Sequence, residues 1–142
     1  MARVLVVEDH ADSSEALALF LGREGHSVDC AADGRTAMTY IVERTPDLVL
    51  LDLNIPEMNG ADLVEMLRSY VRLHSVPVVV FTAAPDGPLA VRAKSLQVSA
   101  VLAKGSTSLR EIADTIRTVL AEGPQRKIIP LEKWRQDEIS PL

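Results

Sequence analysis

Residues 47–60 read Asp-Leu-Val-Leu-Leu-Asp-Leu-Asn-Ile-Pro-Glu-Met-Asn-Gly. The four apolar residues Leu48 to Leu51 show no polar alternation, which is the pattern of a strand covered on both faces. Asp52 ends that strand, and Pro56 and Gly60 shape the loop after it. A helical period then runs from Gly60 to Tyr70. A strand buried on both sides needs helices on both sides, so this one stretch points to a parallel α/β sheet.

Working outward, the same unit recurs. Short strand-like runs at Val4 to Val7, Ser27 to Ala31, Val76 to Phe81 and Ala100 to Ala103 alternate with helical segments. Those segments are Ser14 to Arg23, Arg35 to Arg44, Leu89 to Leu96 and Leu109 to Ala121. With the central unit this makes five strands and five helices in βα alternation. Val78 to Phe81 is expected to be a second central strand. Asp12 with Glu15, and Ser108 with Glu111, each read as a capping box opening a helix. Gly25 and Gly123 fall where C-caps belong. In the last helix Leu109, Ile112, Ala113, Ile116, Val119 and Leu120 form one stripe that should pack on the sheet.

The composition sets the class. At 142 residues, with 47% hydrophobic and 25% charged residues, the chain suits one soluble globular domain. A net charge of −5 without a Lys/Arg cluster argues against nucleic acid as a partner. No apolar run approaches the roughly 20 residues that span a bilayer, and the start Met-Ala-Arg-Val-Leu-Val-Val-Glu-Asp turns acidic too soon for a secretion signal. A cytoplasmic protein is expected. Cys30 reads as a small buried hydrophobe, and His10, His26 and His74 as surface or loop residues without metal-ligand spacing. Residues 1–123 form the expected domain. Residues 124–142, with Ile128, Ile129, Leu131, Trp134 and Ile139, form a tail that either packs back or meets a partner, and no output domain is expected.

Ligands of open parallel sheets bind at the carboxyl ends of the strands. There the strands deliver Glu8 and Asp9, Asp52, Thr82 and Lys104 to one edge. Crowded carboxylates call for a positive partner, and Mg²⁺, which takes one or two carboxylates with waters and phosphate oxygens, suits Asp9 and Asp52. A carboxylate nucleophile forming an aspartyl phosphate needs nearby cations to offset charge on the transferring group; Asp52 with Lys104 meets that need.

The opening Val-Leu-Val-Val-Glu-Asp, the segment from Asp47 to Gly60, the run Pro77-Val-Val-Val-Phe-Thr82-Ala and Lys104 together resemble the receiver domain of two-component response regulators, of the single-domain, chemotaxis-regulator-like type. The resemblance covers Arg3 to about Gly123. It implies a doubly wound, flavodoxin-like five-stranded parallel sheet of order 2-1-3-4-5. It implies further that Asp52 accepts a phosphoryl group from a phosphohistidine on a sensor histidine kinase or histidine phosphotransfer protein. Asp9, Asp52 and the backbone carbonyl of Asn54 would hold Mg²⁺ or Mn²⁺, with Glu8 reaching it through water. Lys104 would pair with the phosphoryl oxygens and Thr82 would swing its hydroxyl toward them. Asn54 and Ala84 stand where relatives tune the lifetime of the phosphate.

Three positions depart from the family pattern. Gly105 follows Lys104 where relatives carry a cis proline, so a differently placed Lys104 is expected. Val101 replaces the aromatic ring that commonly rotates with the threonine in the switch region. Gln97 stands where a left-handed glycine usually ends the fourth helix. These changes suggest an unusual partner or signalling mode. The expected function is a stand-alone phosphoacceptor, not an enzyme, that signals through a downstream protein or by onward phosphotransfer, with homodimerisation left open. A pseudo-receiver that docks proteins without phosphorylation is the alternative. A phosphatase of haloacid-dehalogenase type is disfavoured because Asn54 cannot serve as the second, acid carboxylate. A flavin-binding protein is disfavoured because Glu8-Asp9-His10-Ala11-Asp12 would repel phosphate.

Overall fold

A computed structural model describes residues 2–123 of the protein. The tail readings at Ile128, Ile129, Leu131, Trp134 and Ile139 fall outside the described residues. Five strands, β1 (Arg3–Val7), β2 (Ser27–Ala31), β3 (Leu48–Leu51), β4 (Val78–Thr82) and β5 (Ala100–Ala103), alternate with five helices. The helices are α1 (Ala11–Arg23), α2 (Gly34–Glu43), α3 (Gly60–Ser69), α4 (Pro88–Ser95) and α5 (Leu109–Glu122). All strand pairs are parallel, in the order β2-β1-β3-β4-β5, as the resemblance implied.

Alternation of side chains along each strand sorts the core into two layers. Leu5, Val7, Val49, Leu51, Val78 and Val80 point to one face, where α2, α3 and α4 bury Ile41, Leu63, Leu67 and Ala90 against them. Val4, Val6, Leu48, Leu50, Val79 and Phe81 point to the other, under Leu17 and Leu21 of α1 and Ile112, Ile116 and Val119 of α5. Every residue of β3 and β4 is buried. Each such aliphatic side chain contributes about 1.5–3 kcal/mol by leaving water, so the two central strands anchor both layers.

Helix ends follow the expected chemistry with instructive exceptions. Ser108 caps α5 in a complete capping box: its hydroxyl accepts from Glu111 N–H, and the Glu111 carboxylate accepts from Ser108 N–H. The box proposed at Asp12 and Glu15 does not form. Helix α1 begins earlier, with His10 at the N-cap and Asp12 inside the first turn. Asp33 and Asn59, which the sequence pattern did not single out, cap α2 and α3 through their side chains. Val76 and Pro77 precede β4 instead of belonging to it, although Pro77 carbonyl still accepts from Val49 N–H at 3.0 Å. Arg44, Tyr70 and Leu96 sit at C-caps one residue beyond their helices.

Gln97 adopts φ +61°, so a side chain does occupy the left-handed turn after α4. Such a residue costs about 1 kcal/mol relative to glycine. The guanidinium of Arg68 offsets that cost by donating to the carbonyls of Leu96 (3.0 Å), Gln97 (3.4 Å), His74 (3.2 Å) and Val76 (2.9 Å). Burial lowers the pKa of this arginine to about 10. Among the described residues no helix is long and apolar enough to cross a membrane.

Candidate functional site

The connection from β1 to β2 and the connection from β2 to β3 run in opposite directions along the sheet, and the carboxyl ends of the neighbouring β1 and β3 flank the crevice where that direction reverses. The backbone ladders continue one residue past the strands and so fix the residues that line it. Glu8 N–H donates to Ala31 carbonyl (3.0 Å), Asp52 N–H to Val7 carbonyl (2.9 Å) and Lys104 N–H to Thr82 carbonyl (2.8 Å). Each functional side chain therefore leaves a backbone atom that is already hydrogen-bonded to the sheet.

Lys104 crosses the crevice. Its ammonium donates to Glu8 Oε1 at 2.7 Å and to Asp52 Oδ2 at 3.0 Å, and lies 4.8 Å from the centre of the Phe81 ring. The expectation of a differently placed Lys104 is thus corrected. The described peptide bonds are all trans and Gly105 takes φ +85°, yet the lysine reaches the Asp52 carboxylate. A four-carbon side chain has the length to absorb the change in backbone path.

The side chains of Glu8 and Asp52 are 0% and 4% exposed, while that of Lys104 is 24% exposed. Burial pushes the Asp52 carboxyl up, and the adjoining Glu8 carboxyl adds to the rise, against the lowering by Lys104 and by Asn54 N–H. Burial also opposes charge on Glu8, but its contact with Lys104 leaves it below the usual carboxylate range. The two groups titrate as a pair in which Glu8 ionises first and Asp52 holds its proton longer. Burial works to discharge Lys104, whereas Glu8 and Asp52 hold it above the ordinary lysine value.

The other sequence-derived residues gather around this centre. Asp9 lies on the rim with its side chain 31% exposed. Asn54 is exposed, and its N–H donates to Asp52 Oδ1 at 3.1 Å, which sets the carboxylate plane. Thr82 is buried, and its hydroxyl accepts from Ala84 N–H at 3.2 Å, a local turn that parks the side chain. Ala84 itself is exposed. Val101 is half-buried and packs against the core layer beneath α4 instead of presenting a mobile ring. Cys30 is half-buried rather than fully buried, with Sγ 4.0 Å from Ser14 carbonyl.

The loop after β3 is held by close approach. Gly60 N–H donates to Leu53 carbonyl at 2.8 Å, and a Cβ on Gly60 would stand 2.7 Å from Leu53 Cα and 2.9 Å from Asp52 carbonyl oxygen. Only glycine fits there. Glu57 in the same loop takes φ +75°, a left-handed turn that its residue type did not signal.

Two features escaped the sequence reading. His10 is not simply a solvated loop residue. Its Nδ1 lies 3.2 Å from Asp9 Oδ1 and 3.8 Å from Glu8 Oε2, so the three residues offer ligand atoms within 4.8 Å of one another. A run of Glu8, Asp9 and His10 could have suggested it. Glu8 Oε2 is buried without a hydrogen-bond partner. A carboxylate oxygen removed from water and left unpaired costs several kcal/mol, which a cation would offset. With three carboxylates against one ammonium, the donor set fits a hard divalent ion.

The sequence pattern of the response regulator receiver domain matches residues 4–117. The alkaline phosphatase synthesis transcriptional regulatory protein SphR of Synechococcus elongatus is 43% identical over 91 residues, 58% of this chain and 35% of that protein. The DNA-binding response regulator MtrA of Mycolicibacterium paratuberculosis is 44% identical over 84 residues, 59% of this chain and 36% of that protein. The chain thus spans about a third of the length of these curated relatives. Among solved structures, the signal receiver domain of a signal transduction histidine kinase from Syntrophus aciditrophicus superposes with a TM-score of 0.79 at 25% identity, covering 86% of this chain and 92% of that one. A pattern matched from β1 into α5, on a sheet of this order with its acidic edge intact, shows that the chain belongs to the family of response regulator receiver domains.

Proposed function

We propose that Asp52 is a phosphoacceptor, charged by a phosphohistidine of a sensor histidine kinase or histidine phosphotransfer protein. The observation that carries the reading is the Lys104 ammonium bonded to both Glu8 and Asp52 at the carboxyl edge of the sheet. A carboxylate oxygen of Asp52 forms the new P–O bond as the P–N bond of the donor breaks and the leaving imidazole nitrogen keeps the electron pair. Lys104 is long enough to transfer its hydrogen bonds from the carboxylates to phosphoryl oxygens. Asn54 N–H orients the attacking carboxylate, and Thr82 gives up its bond from Ala84 N–H to meet the new anion.

Asp9, Asp52, the carbonyl of Asn54 and, through water, Glu8 would hold Mg²⁺ or Mn²⁺. The ion's chemistry is to neutralise charge on the transferring phosphoryl oxygens. The protein acts as a phosphoacceptor that assists its own transfer and dephosphorylation rather than as an enzyme with a separate substrate. Ala84, with no polar side chain, offers no group to position a hydrolytic water, which favours a long-lived phosphate.

For the output we propose a contact with a downstream protein, or onward phosphotransfer, in the cytoplasm. The net charge of −5 supports a protein partner over nucleic acid for the chain as it stands. The DNA-binding relative MtrA is a protein about three times the matched length, and this chain is proposed to signal as a stand-alone regulator. Exposure to a small-molecule phosphodonor with and without Mg²⁺, read by intact mass, tests the acceptor. A metal-dependent gain of one phosphate, absent in Asp52→Asn, is expected. No adduct and no beryllium fluoride binding would replace this reading with an unphosphorylated docking module.

A further inference from the structure

His10 stands at the N-cap of α1, where its side chain makes no capping bond and is 74% exposed. Its Nδ1 faces back into the acidic crevice, 3.2 Å from Asp9 Oδ1 and 3.8 Å from Glu8 Oε2. In an octahedral shell with bonds of about 2.1 Å, neighbouring ligand atoms lie about 3.0 Å apart. The Asp9–His10 pair already has nearly that spacing. An independent sign that a cation belongs here is Glu8 Oε2: the side chain has no exposure, its Oε1 accepts from Lys104, and Oε2 has no hydrogen-bond partner.

We infer that His10 supplies a nitrogen donor to the cation held at the Glu8–Asp9 edge, so that this site favours first-row transition ions over Mg²⁺. The inference rests on the divalent-cation site of the proposed phosphoacceptor and adds to it a selectivity specific to this chain. Mg²⁺ gains little from exchanging a water for imidazole, because it is a hard ion that prefers oxygen. Mn²⁺ gains more, and Ni²⁺ more again, in line with the general order of affinities for nitrogen-bearing sites. The His10 side chain is 74% exposed, so ligation through Nδ1 does not require burying the imidazole.

The alternative is local: Nδ1–H donates to Asp9 Oδ1 and merely orients that carboxylate. The two differ in what they do to selectivity. An orienting histidine changes the affinity of all divalent ions together, whereas a ligand changes the ratio between them.

The test measures binding of Mg²⁺, Mn²⁺ and Ni²⁺ by calorimetry on the full chain, in the natural protein, His10→Ala and Asp9→Asn. It adds pulsed electron paramagnetic resonance of the Mn²⁺ complexes. The expected result is a fall of about tenfold or more in the Ni²⁺-to-Mg²⁺ affinity ratio in His10→Ala, with Mg²⁺ affinity changed by less than about threefold. Nitrogen-14 modulation from the Mn²⁺ complex should vanish in the same variant. An unchanged ratio, or modulation that survives His10→Ala, would overturn the inference while leaving the cation site standing. Binding of all three ions that is unaffected by Asp9→Asn, or no saturable binding at all, would instead remove the cation site and the inference with it.

Discussion

Replacing Lys104 by methionine removes a charge while keeping a side chain that can lie against Phe81. In the natural protein the ammonium holds two carboxylates, Glu8 at 2.7 Å and Asp52 at 3.0 Å, whose side chains are 0% and 4% exposed. Removing one partner of a fully buried ion pair costs about 3–5 kcal/mol, because a charge is left without compensation. Here Lys104 is partly open to solvent and the two carboxyls can share a proton, so about 2–3 kcal/mol is expected near pH 8. For a domain of this size that lowers the melting temperature by about 10 °C. The pH dependence identifies the cause. Without Lys104 the folded-state pKa values of Glu8 and Asp52 lie above their unfolded values. A raised folded pKa contributes stability that is fully present below the unfolded pKa, near 4, and is lost as pH rises through the folded value. The deficit of Lys104→Met should therefore shrink markedly between pH 8 and pH 5, and excess Mg²⁺ should recover part of it at pH 8. Urea unfolding of both proteins at the two pH values measures this. An equal deficit at pH 8 and pH 5 would refute the electrostatic argument and assign the loss to packing.

Gly60→Ala should destabilise the fold by about 1–3 kcal/mol, since the new Cβ meets backbone atoms of Leu53 and Asp52 that cannot rotate away. Urea midpoints report the loss, and intact-mass phosphorylation should show a slower adduct because the displaced carbonyl belongs to Asp52, the proposed acceptor. Ser108→Ala should cost about 1 kcal/mol by opening the capping box of α5, whereas Asp12→Ala should change stability by less than about 0.5 kcal/mol, since Asp12 is not a cap. Thermal melts of the two variants side by side check the contrast. Arg68→Lys should cost about 2–3 kcal/mol, because a single ammonium cannot serve four carbonyls spread over the α3–β4 and α4–β5 connections. Hydrogen exchange should rise at Leu96 and Gln97 before it rises in β3.

Much of this molecule is legible along the chain. Unbroken apolar runs at Leu48–Leu51 and Val78–Phe81 determine central strands, because strands buried on both faces carry no polar alternation. The order in which Asp9, Asp52, Thr82 and Lys104 follow those strands determines that they share an edge, because parallel strands all end on the same side. Ser108 with Glu111 determines where α5 begins. These signals are local, set by periods of two or 3.6 residues and by spacings of three.

What the tertiary structure alone decided lies between residues far apart in sequence. Lys104 meets Glu8 across 96 positions and Asp52 across 52, so neither its reach past a trans glycine nor its sharing between two carboxylates has any local signature. The four carbonyls gathered by Arg68, which let Gln97 occupy a left-handed turn, come from two stretches of chain about 20 residues apart, neither of them next to Arg68. The turn of His10 toward Asp9 and Glu8 depends on α1 starting at Ala11 rather than after Asp12, a shift of under one helical turn. Helix starts are set by small competing capping energies, but the direction of a side chain changes by about 100° with each residue of a helix, so a small uncertainty in the start becomes a large one in the site.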